Sequence, residues 1–308
     1  MEATSRWTAV TAAAPIAWGS TYYVTHHFLP ADHPLWGSAL RALPAGLLLL
    51  ALRRELPRGD WWWRSLVLGT LNMGAFFALV YVSAQLLPTS LASTVMALSP
   101  AAMMAVAWLT LAERPHVLAV AGAAVGIGGV VLMFAAGIDS FDPLGVAAAT
   151  AAMLMSALGH VLTKKWGTTT NVLSVTSWQL VAGGLVLVAA ALVVEGAPPP
   201  VTPTGAAAFT YVAVVATAIA FAAWFTGLRH LDAGAVGLIG LLNPVTGVLL
   251  GTAVAGETLT SHQIAGLALV LAGVLLGQPA VRRASRDTRR PSPAARRSAP
   301  SPAARRSA

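Results

Sequence analysis

A few polar and aromatic side chains lie inside long apolar stretches of the chain, where they could bind a solute. Arg41 is the charged side chain deepest in such a stretch, about six residues or ~9 Å of helix from its nearer end. A charge at the centre of a bilayer costs ~2.5–3.5 kcal/mol on insertion scales, so Arg41 should face protein or water. There it could bind an anionic group or gate a passage. The alternative is that it snorkels outward or holds helix ends together.

Trp18, Tyr22 and His26 follow one another at a spacing of four residues, which places them on one face of a helix. Tryptophan is typical of the membrane interface, whereas Trp18 falls in the middle of the first apolar stretch. We therefore expect Trp18 and Tyr22 to line an internal cavity, with ordinary helix packing as the alternative. Further polar side chains inside apolar stretches are candidates to line the same path: Asn72, Tyr81, Gln179 and Thr246.

Two prolines, Pro100 and Pro244, fall inside apolar stretches and directly follow the polar residues Ser99 and Asn243. A proline within a helix removes one backbone hydrogen bond and leaves the carbonyl one turn earlier free. The sequence therefore predicts two kinked helices in which Ser99 and Asn243 contact a solute and the prolines act as hinges. The alternative is that the prolines are simply tolerated, as they are in many membrane helices.

Acidic side chains lie outside the apolar stretches or at their ends, where Glu113 and Glu257 are candidates to cap helices or to gate a passage. No Asp or Glu lies in the middle of a stretch, so the sequence shows no carboxylate proton relay. It also contains no motif of the zinc-protease, serine-hydrolase, Walker A or dinucleotide-binding type. We therefore expect no enzyme activity, no catalytic residue, no cofactor and no metal site.

The composition determines which elements position these residues. Of the 308 residues, 56% are hydrophobic and 10% charged, the mean hydropathy is +0.72, and there is no cysteine. Soluble proteins carry about 25% charged residues, so this chain belongs in a membrane. Apolar runs of about 20 residues match the hydrocarbon core, and lipid requires that backbone groups bond within a helix. The sequence predicts ten spans, numbered 1 to 10: 8–28, 35–52, 65–86, 89–111, 116–135, 143–163, 172–194, 205–227, 233–253 and 262–280.

The charges between the spans predict the orientation. With the N-terminus inside, every Lys and Arg except Arg41 falls on the cytoplasmic side, and the outer loops carry Asp and Glu without Lys or Arg. The positive-inside rule therefore predicts that residues 1–7 and the C-terminus are cytoplasmic. Residues 281–308 form a basic, low-complexity tail that we expect to be disordered and to contact anionic lipid. Most of the net charge of +8 belongs to this tail, so we expect no nucleic-acid partner.

The two halves of the chain resemble each other. At an offset of 144 residues the aligned pairs are Pro100 with Pro244, Glu113 with Glu257, Gly122 with Gly266 and Gly129 with Gly273. Nearer the start of each half the offset is 138–140, and Arg41 aligns with Gln179. Because each half holds an odd number of spans, the second half enters the membrane in the opposite sense. The sequence thus predicts two inverted five-helix repeats, residues 8–135 and 143–280, an architecture of alternating-access transporters.

These features resemble the EamA family of the drug/metabolite transporter superfamily over about residues 8–277. The resemblance rests on the two five-helix repeats, Trp18-Gly19-Ser20, Arg41, and the paired Pro…Glu segments of spans 4 and 9. It implies a central cavity lined by spans 1–4 and 6–9, with peripheral spans 5 and 10 as candidates for a homodimer interface. Two features depart from the family pattern: Leu158 in span 6 stands where span 1 has Trp18, and the Arg-rich tail is additional.

The sequence therefore predicts an all-α integral membrane protein of ten helices that transports small metabolites or drug-like molecules. The resemblance favours efflux by alternating access across a bacterial inner membrane, with a small-molecule substrate and the lipid bilayer as partners. One alternative is an importer or exchanger of the same superfamily. Another, from a different class, is a non-transporting membrane scaffold or sensor that uses the basic tail. A polar cavity between the halves favours transport, and a filled, dry core favours the scaffold.

Overall fold

The computed structural model describes residues 2–112, 117–135, 141–166, 170–230, 239–240 and 242–277, and the regular secondary structure in these ranges is helical throughout. The basic tail lies outside the described residues. In chain order the α-helices are α1 (Glu2–Phe28), α2 (Pro34–Arg53), α3 (Trp61–Gly69), α4 (Ala75–Leu86), α5 (Thr89–Met96), α6 (Ser99–Leu111), α7 (Val117–Ala135), α8 (Pro143–Trp166), α9 (Val172–Val194), α10 (Pro203–Thr210), α11 (Ala220–His230), α12 (Leu242–Ala253) and α13 (Ser261–Gly277).

Six helical segments in the described ranges are long and apolar enough to cross a membrane: Pro34–Arg53, Trp61–Leu86, Thr89–Thr110, Pro143–Thr163, Val172–Val194 and Pro203–Trp224. Two shorter apolar helices, Val117–Met133 and Ser261–Leu276, add to these. The prediction of an all-helical membrane protein is confirmed, and the bounds of span 7 coincide with those of α9. The count of ten spans stays a prediction, because part of span 9 lies outside the described residues.

Two of the long segments contain a π-helical stretch that the sequence did not predict. The first, Thr70–Gly74, joins α3 to α4, and the second, Tyr211–Ile219, joins α10 to α11. A π-helix widens the backbone ring by one residue, so the side chains that follow turn to a different direction, and such stretches are common at functional sites. Each stretch carries a buried polar residue, Asn72 in the first and Thr217 in the second.

The structure corrects the prediction that Pro100 and Pro244 lie in the middle of helices. The helix of span 4 is interrupted, because α5 ends at Met96 and α6 begins at Ser99, with Pro100 in its first turn. Pro244 is likewise the third residue of α12. Proline has no N–H, and the first helical turn is where a missing donor costs nothing, so each proline fits the first turn of its helix.

Helices α2 and α9 lie against each other because each has a glycine where the other's backbone passes. A Cβ atom added to Gly46 would lie 2.7 Å from the Val181 nitrogen. One added to Gly184 would lie 2.8 Å from Cβ of Leu43. Small residues at such crossings let membrane helices approach closely. The two helices share a buried cluster with α4 that contains Trp36, Leu49, Phe77, Leu180 and Leu187.

Helices α7 and α13 cross in the same way. A Cβ atom on Gly129 would lie 2.5 Å from the Gly266 carbonyl oxygen, and one on Gly266 would lie 2.5 Å from the Gly129 carbonyl oxygen. Further along, Gly273 contacts the carbonyl oxygen of Gly122. The glycines of spans 5 and 10 therefore pack the two helices together within one chain.

Candidate functional site

Helix α2 carries Arg41 into the interior of the protein, where the residue is 9% exposed. Its Nε donates a hydrogen bond to Oγ1 of Thr217 at 2.9 Å, and its guanidinium carbon lies 4.2 Å from the centre of the Phe77 ring. Thr217 donates its own hydroxyl to the carbonyl of Val212, five residues earlier, at 2.7 Å. That spacing belongs to the π-helical stretch, which therefore holds the acceptor for Arg41 in place.

A second polar contact joins the first π-helical stretch to α9. Asn72 Nδ2 donates to Oε1 of Gln179 at 2.8 Å, and both residues are buried. Oγ1 of Thr163 on α8 lies 3.4 Å from the same nitrogen. Oδ1 of Asn72 is buried without a hydrogen-bond partner among the described residues. Two of the predicted path residues thus meet, and one buried acceptor remains.

Trp18 packs between α1 and α11. Its ring centre lies 5.4 Å from that of Phe221 and 5.3 Å from that of Trp224. Phe221 also packs against the buried cluster that contains Phe77, the ring beneath Arg41. Aromatic side chains therefore connect Trp18 with the surroundings of Arg41.

Tyr22 lies near Arg41 as well as packing elsewhere, whereas Tyr81 contacts another part of the protein. Tyr22 is buried against α4 and α5, and Nδ1 of His26 lies 2.9 Å from the carbonyl oxygen of Ala84. Tyr81 donates its hydroxyl to the carbonyl of Pro30 at 2.8 Å, between α1 and α2. Trp18 and Tyr22, one helical turn apart, thus contact different helices. That Tyr22 and Tyr81 line a path stays a prediction.

Asn243 and Thr246 lie where α12 passes α1. At Gly19 the two helices are in contact, with the Asn243 carbonyl oxygen and the Thr246 Cβ next to the glycine. Oδ1 of Asn243 is buried and has no hydrogen-bond partner among the described residues. Gly19 follows Trp18 in the chain, but consecutive residues of a helix point in different directions, so these two residues lie on another face of α1 than the Trp18 ring.

The carbonyls that the prolines were expected to free are occupied, and that expectation is wrong. The carbonyl of Met96 accepts the hydroxyl of Ser99 at 2.7 Å. The carbonyl of Gly240 accepts the N–H of Asn243 at 3.1 Å. Each carbonyl finds a donor at the residue just before the proline, so no bond is lost. The hinge role of Pro100 and Pro244 stays a prediction.

Glutamates that follow α2 and α9 bind the start of the other helix. Glu195, after α9, accepts the backbone N–H groups of Leu35 and Trp36 at 2.7 and 2.9 Å. Glu55, after α2, accepts the hydroxyl of Ser174 near the start of α9, and this bond lowers the pKa of Glu55. Carboxylates stabilise helix N-termini, where free N–H groups carry partial positive charge. The pair α2 and α9 is therefore tied at both ends.

Glu257 makes a similar contact with α5. Its two carboxylate oxygens accept the N–H groups of Thr89 and Ser90 at 2.6 and 3.1 Å. The same carboxylate lines a pocket of about 320 Å³ together with His26 and His27 at the end of α1. Glu257 thus caps α5 in the structure, whereas its gating role stays a prediction. Glu113, its predicted counterpart, lies outside the described residues.

Sequence reasoning did not assign four residues that make these contacts: Glu55, Phe77, Glu195 and Thr217. Thr217 and Phe77 are residue types that occur throughout membrane helices, so their identity alone carries no signal. The glutamates had a usable signal, because Glu55 and Glu195 follow spans 2 and 7 and are separated by 140 residues, an offset that aligns the first parts of the two halves.

The chain is similar to known proteins along most of its length. The EamA-like transporter family matches residues 6–135 and 143–277. Protein PecM of Dickeya dadantii is 37% identical over 86% of this chain and 90% of that protein. The uncharacterized inner membrane transporter YedA of Escherichia coli is 27% identical over 85% of this chain and 87% of that protein. A probable amino-acid metabolite efflux pump of Salmonella typhimurium is 28% identical over 85% of this chain and 91% of that protein.

A solved crystal structure has a similar fold. Its TM-score is 0.65 at 20% sequence identity, over 91% of this chain and 99% of that one.

Proposed function

We propose that this chain, which belongs to the EamA-like transporter family, is a secondary transporter that exports small metabolites or drug-like molecules by alternating access. We place it in a bacterial inner membrane with both termini in the cytoplasm. Similarity to an efflux pump and to an inner membrane transporter supports export and this location. The proposed substrate path runs between two inverted repeats, residues 8–135 and 143–280, along the predicted site residues.

The observation that carries the proposal is that contacts between the halves occur in reciprocal pairs. The Gly122–Gly273 contact of α7 and α13 becomes the Gly129–Gly266 contact when each residue is replaced by its partner 144 positions away. A chance crossing of two helices has no reason to repeat in this exchanged form. A two-fold axis that relates the halves produces it directly.

The crossing of α2 and α9 shows the same exchange at an offset of 138. Gly46 contacts Val181, and the residues 138 positions away, Gly184 and Leu43, contact each other. This offset is the one that aligns Arg41 with Gln179 in the sequence.

The polar contacts follow the same relation. Arg41 is the eighth residue of α2 and contacts Thr217 in the second π-helical stretch. Gln179 is the eighth residue of α9 and contacts Asn72 in the first. Glu195 binds the start of α2, and Glu55 binds the start of α9.

A two-fold relation between repeats of five helices supports the transport mechanism. An odd number of helices per repeat requires that the axis lies in the membrane plane, so that the repeats are inverted. Inverted repeats can exchange their conformations, which turns an inward-open protein into an outward-open one around a fixed central site. Asn72 and Asn243 have buried oxygens without a hydrogen-bond partner among the described residues, and a solute could bond to them in a conformation that opens the space around them.

Untargeted mass spectrometry of cells and medium tests the proposal. We would compare a strain that lacks the protein, the same strain with the wild-type protein restored, and the strain with empty vector. We expect at least one compound to accumulate in the deletion cells and to fall in their medium, and the wild-type protein to reverse both changes.

The alternatives give different results in the same experiment. A compound that is depleted from the medium only when the protein is present would favour an importer. If no compound changes its distribution while the protein is inserted at normal levels, the transport proposal is wrong and a scaffold or sensor is favoured.

A further inference from the structure

The positive charge of Arg41 has no acidic partner in the described part of the protein. The ion pairs there join Arg53 to Glu55 and Arg64 to Asp60, at the ends of α2 and α3 and away from Arg41. Arg41 uses Nε for its bond to Thr217, and its two terminal nitrogens are hydrogen-bonded to none of the described residues. The side chain therefore presents four N–H donors and a full charge without a protein acceptor.

An unneutralised guanidinium inside an apolar bundle is costly. Insertion scales give ~2.5–3.5 kcal/mol for a central arginine. The Phe77 ring at 4.2 Å offsets part of this cost through a cation–π interaction, but a ring face cannot neutralise the charge or accept directional hydrogen bonds. Water or an anion must occupy the remaining donors.

The other repeat indicates that helix packing does not require a cation here. Gln179 occupies the matching place in α9, is neutral, and bonds to Asn72 at 2.8 Å. An uncharged amide thus suffices to join the helix to the π-helical stretch. The arginine adds a charge and a pair of terminal donors, both in excess of what that contact needs.

We infer that the transported molecules carry a carboxylate and that this group binds the terminal nitrogens of Arg41. The inference rests on the proposed transport function and names the class of its substrate. Thr217 holds Nε, and Phe77 covers one face of the guanidinium, so the edge that lacks a partner among the described residues is the one that bears both terminal nitrogens. Two parallel N–H groups on that edge match the two oxygens of a carboxylate.

The charge balance favours a carboxylate over a phosphate. One carboxylate neutralises one arginine, whereas a doubly charged phosphate would leave net negative charge in an apolar interior. Phe77 lies against the guanidinium, and Trp18 contacts Phe221, which packs against the cluster that contains Phe77, so flat apolar surface lies near the anion site. Benzoate, a carboxylate on a flat ring, is therefore a suitable probe, and benzamide is its uncharged counterpart of the same shape.

Binding to the purified wild-type protein is the first test. Thermal stability in detergent would be followed by intrinsic tryptophan fluorescence at constant ionic strength, with benzoate, benzamide or sodium chloride added. We expect benzoate to raise the melting temperature in a saturable way and benzamide and chloride to have no such effect. Equal effects of benzoate and benzamide would overturn the inference, and this comparison needs no variant.

Transport by variants is the second test. Arg41→Gln installs the side chain of the matching position and can still bond to Thr217, whereas Arg41→Lys keeps the charge without the fork. Arg58→Gln, in an exposed loop, is the matched control. In the metabolite comparison, we expect the exported compounds to be carboxylates. Their export should fall at least tenfold with Arg41→Gln and by a smaller factor with Arg41→Lys. Export should be unchanged with Arg58→Gln.

The two proposals fail differently. If wild-type protein exports compounds that lack a carboxylate, or if Arg41→Gln inserts normally and exports carboxylates at the wild-type rate, the carboxylate inference is wrong while transport stands. If the wild-type protein changes the distribution of no compound, the transport proposal itself is wrong.

Discussion

Helices α7 and α13 cross so closely that one added methyl group at the contact should destabilise the protein. Gly129→Ala places a Cβ atom 2.5 Å from the Gly266 carbonyl oxygen and 2.8 Å from the Val270 nitrogen. Both neighbours are backbone atoms, which cannot rotate away as a side chain can. The neighbouring residue supplies a matched control, because a Cβ atom on Gly128 meets nothing within 4 Å.

The size of the effect follows from the distances. Ordinary contact begins at 3.4 Å, so α7 and α13 must separate by up to about 0.9 Å locally. A gap of that size forfeits about a quarter to a half of the dispersion attraction of the atoms along the crossing. Overpacking of this kind typically costs about 1–3 kcal/mol. At about 2–4 °C per kcal/mol for a chain of comparable size, the apparent melting temperature should fall by about 2–12 °C.

Thermal denaturation of the purified variants in detergent, followed by size-exclusion chromatography, measures this change. We expect Gly129→Ala and Gly266→Ala to melt earlier than wild type and Gly128→Ala to melt within about 1 °C of it. The double variant should lose less than the sum of the two single losses, because the first methyl group already separates the helices. If Gly128→Ala and Gly129→Ala melt alike, the glycine crossing does not exist as described.

Three further predictions concern the cap on α5, the topology and the tail. Glu257→Gln removes the charge at the start of α5 and should lower stability by about 0.3–2 kcal/mol in the same melting assay, whereas an unchanged melting temperature would argue against the cap. Single cysteines that replace Asp32 and Asp139 should react with an impermeant maleimide from outside, and those that replace Arg58 and Lys164 should not. Labelling from outside at position 164 would refute the ten-span topology. Deletion of residues 285–308 should leave insertion and export intact, because a disordered tail contributes no core, and loss of export by a normally inserted protein would instead make the tail a partner site.

The apolar helices could be predicted from the sequence because each depends on a sum over many residues. Span 7 coincides with α9, and span 2 differs from α2 by one residue at each end. The π-helical stretches and the interruption at residues 97–98 could not be predicted in this way. They depend on the hydrogen bonds of single residues, such as that of Thr217 to the carbonyl of Val212, which hydropathy does not register.

The candidate site was predictable where one residue type was out of place. Arg41, Asn72 and Gln179 could be identified because a charged or amide side chain is costly inside an apolar span. Nothing in the sequence indicated that Asn72 and Gln179 bond to each other. The acceptor of Arg41 was not predictable, because Thr217 is one of several threonines in apolar spans. The prediction of mid-helix prolines was wrong for a physical reason. Proline can kink the middle of a helix or occupy the first turn of a new one. Which of the two occurs depends on hydrogen bonds of neighbouring residues, such as those from Ser99 and Asn243, which the sequence does not show.

The contacts between helices differ in how much movement they permit, and this difference bears on how the proposed transporter could work. At the crossings of α7 with α13 and of α2 with α9, backbone atoms are in direct contact, so sliding or rotation produces overlap at once. Helix α12 is also in close contact with α5, where Gly247 lies against Ser93, and with α1, where Gly19 lies against the Asn243 carbonyl. Between α5 and α6, in contrast, the helix is interrupted, because α5 ends at Met96 and α6 begins at Ser99. Bending at an interrupted helix breaks few hydrogen bonds and costs a few kcal/mol, within reach of substrate binding. We therefore expect α1, α5 and α12 to move as one unit that bends at this interruption while α2 holds Arg41 in place, so that access alternates around a stationary charge.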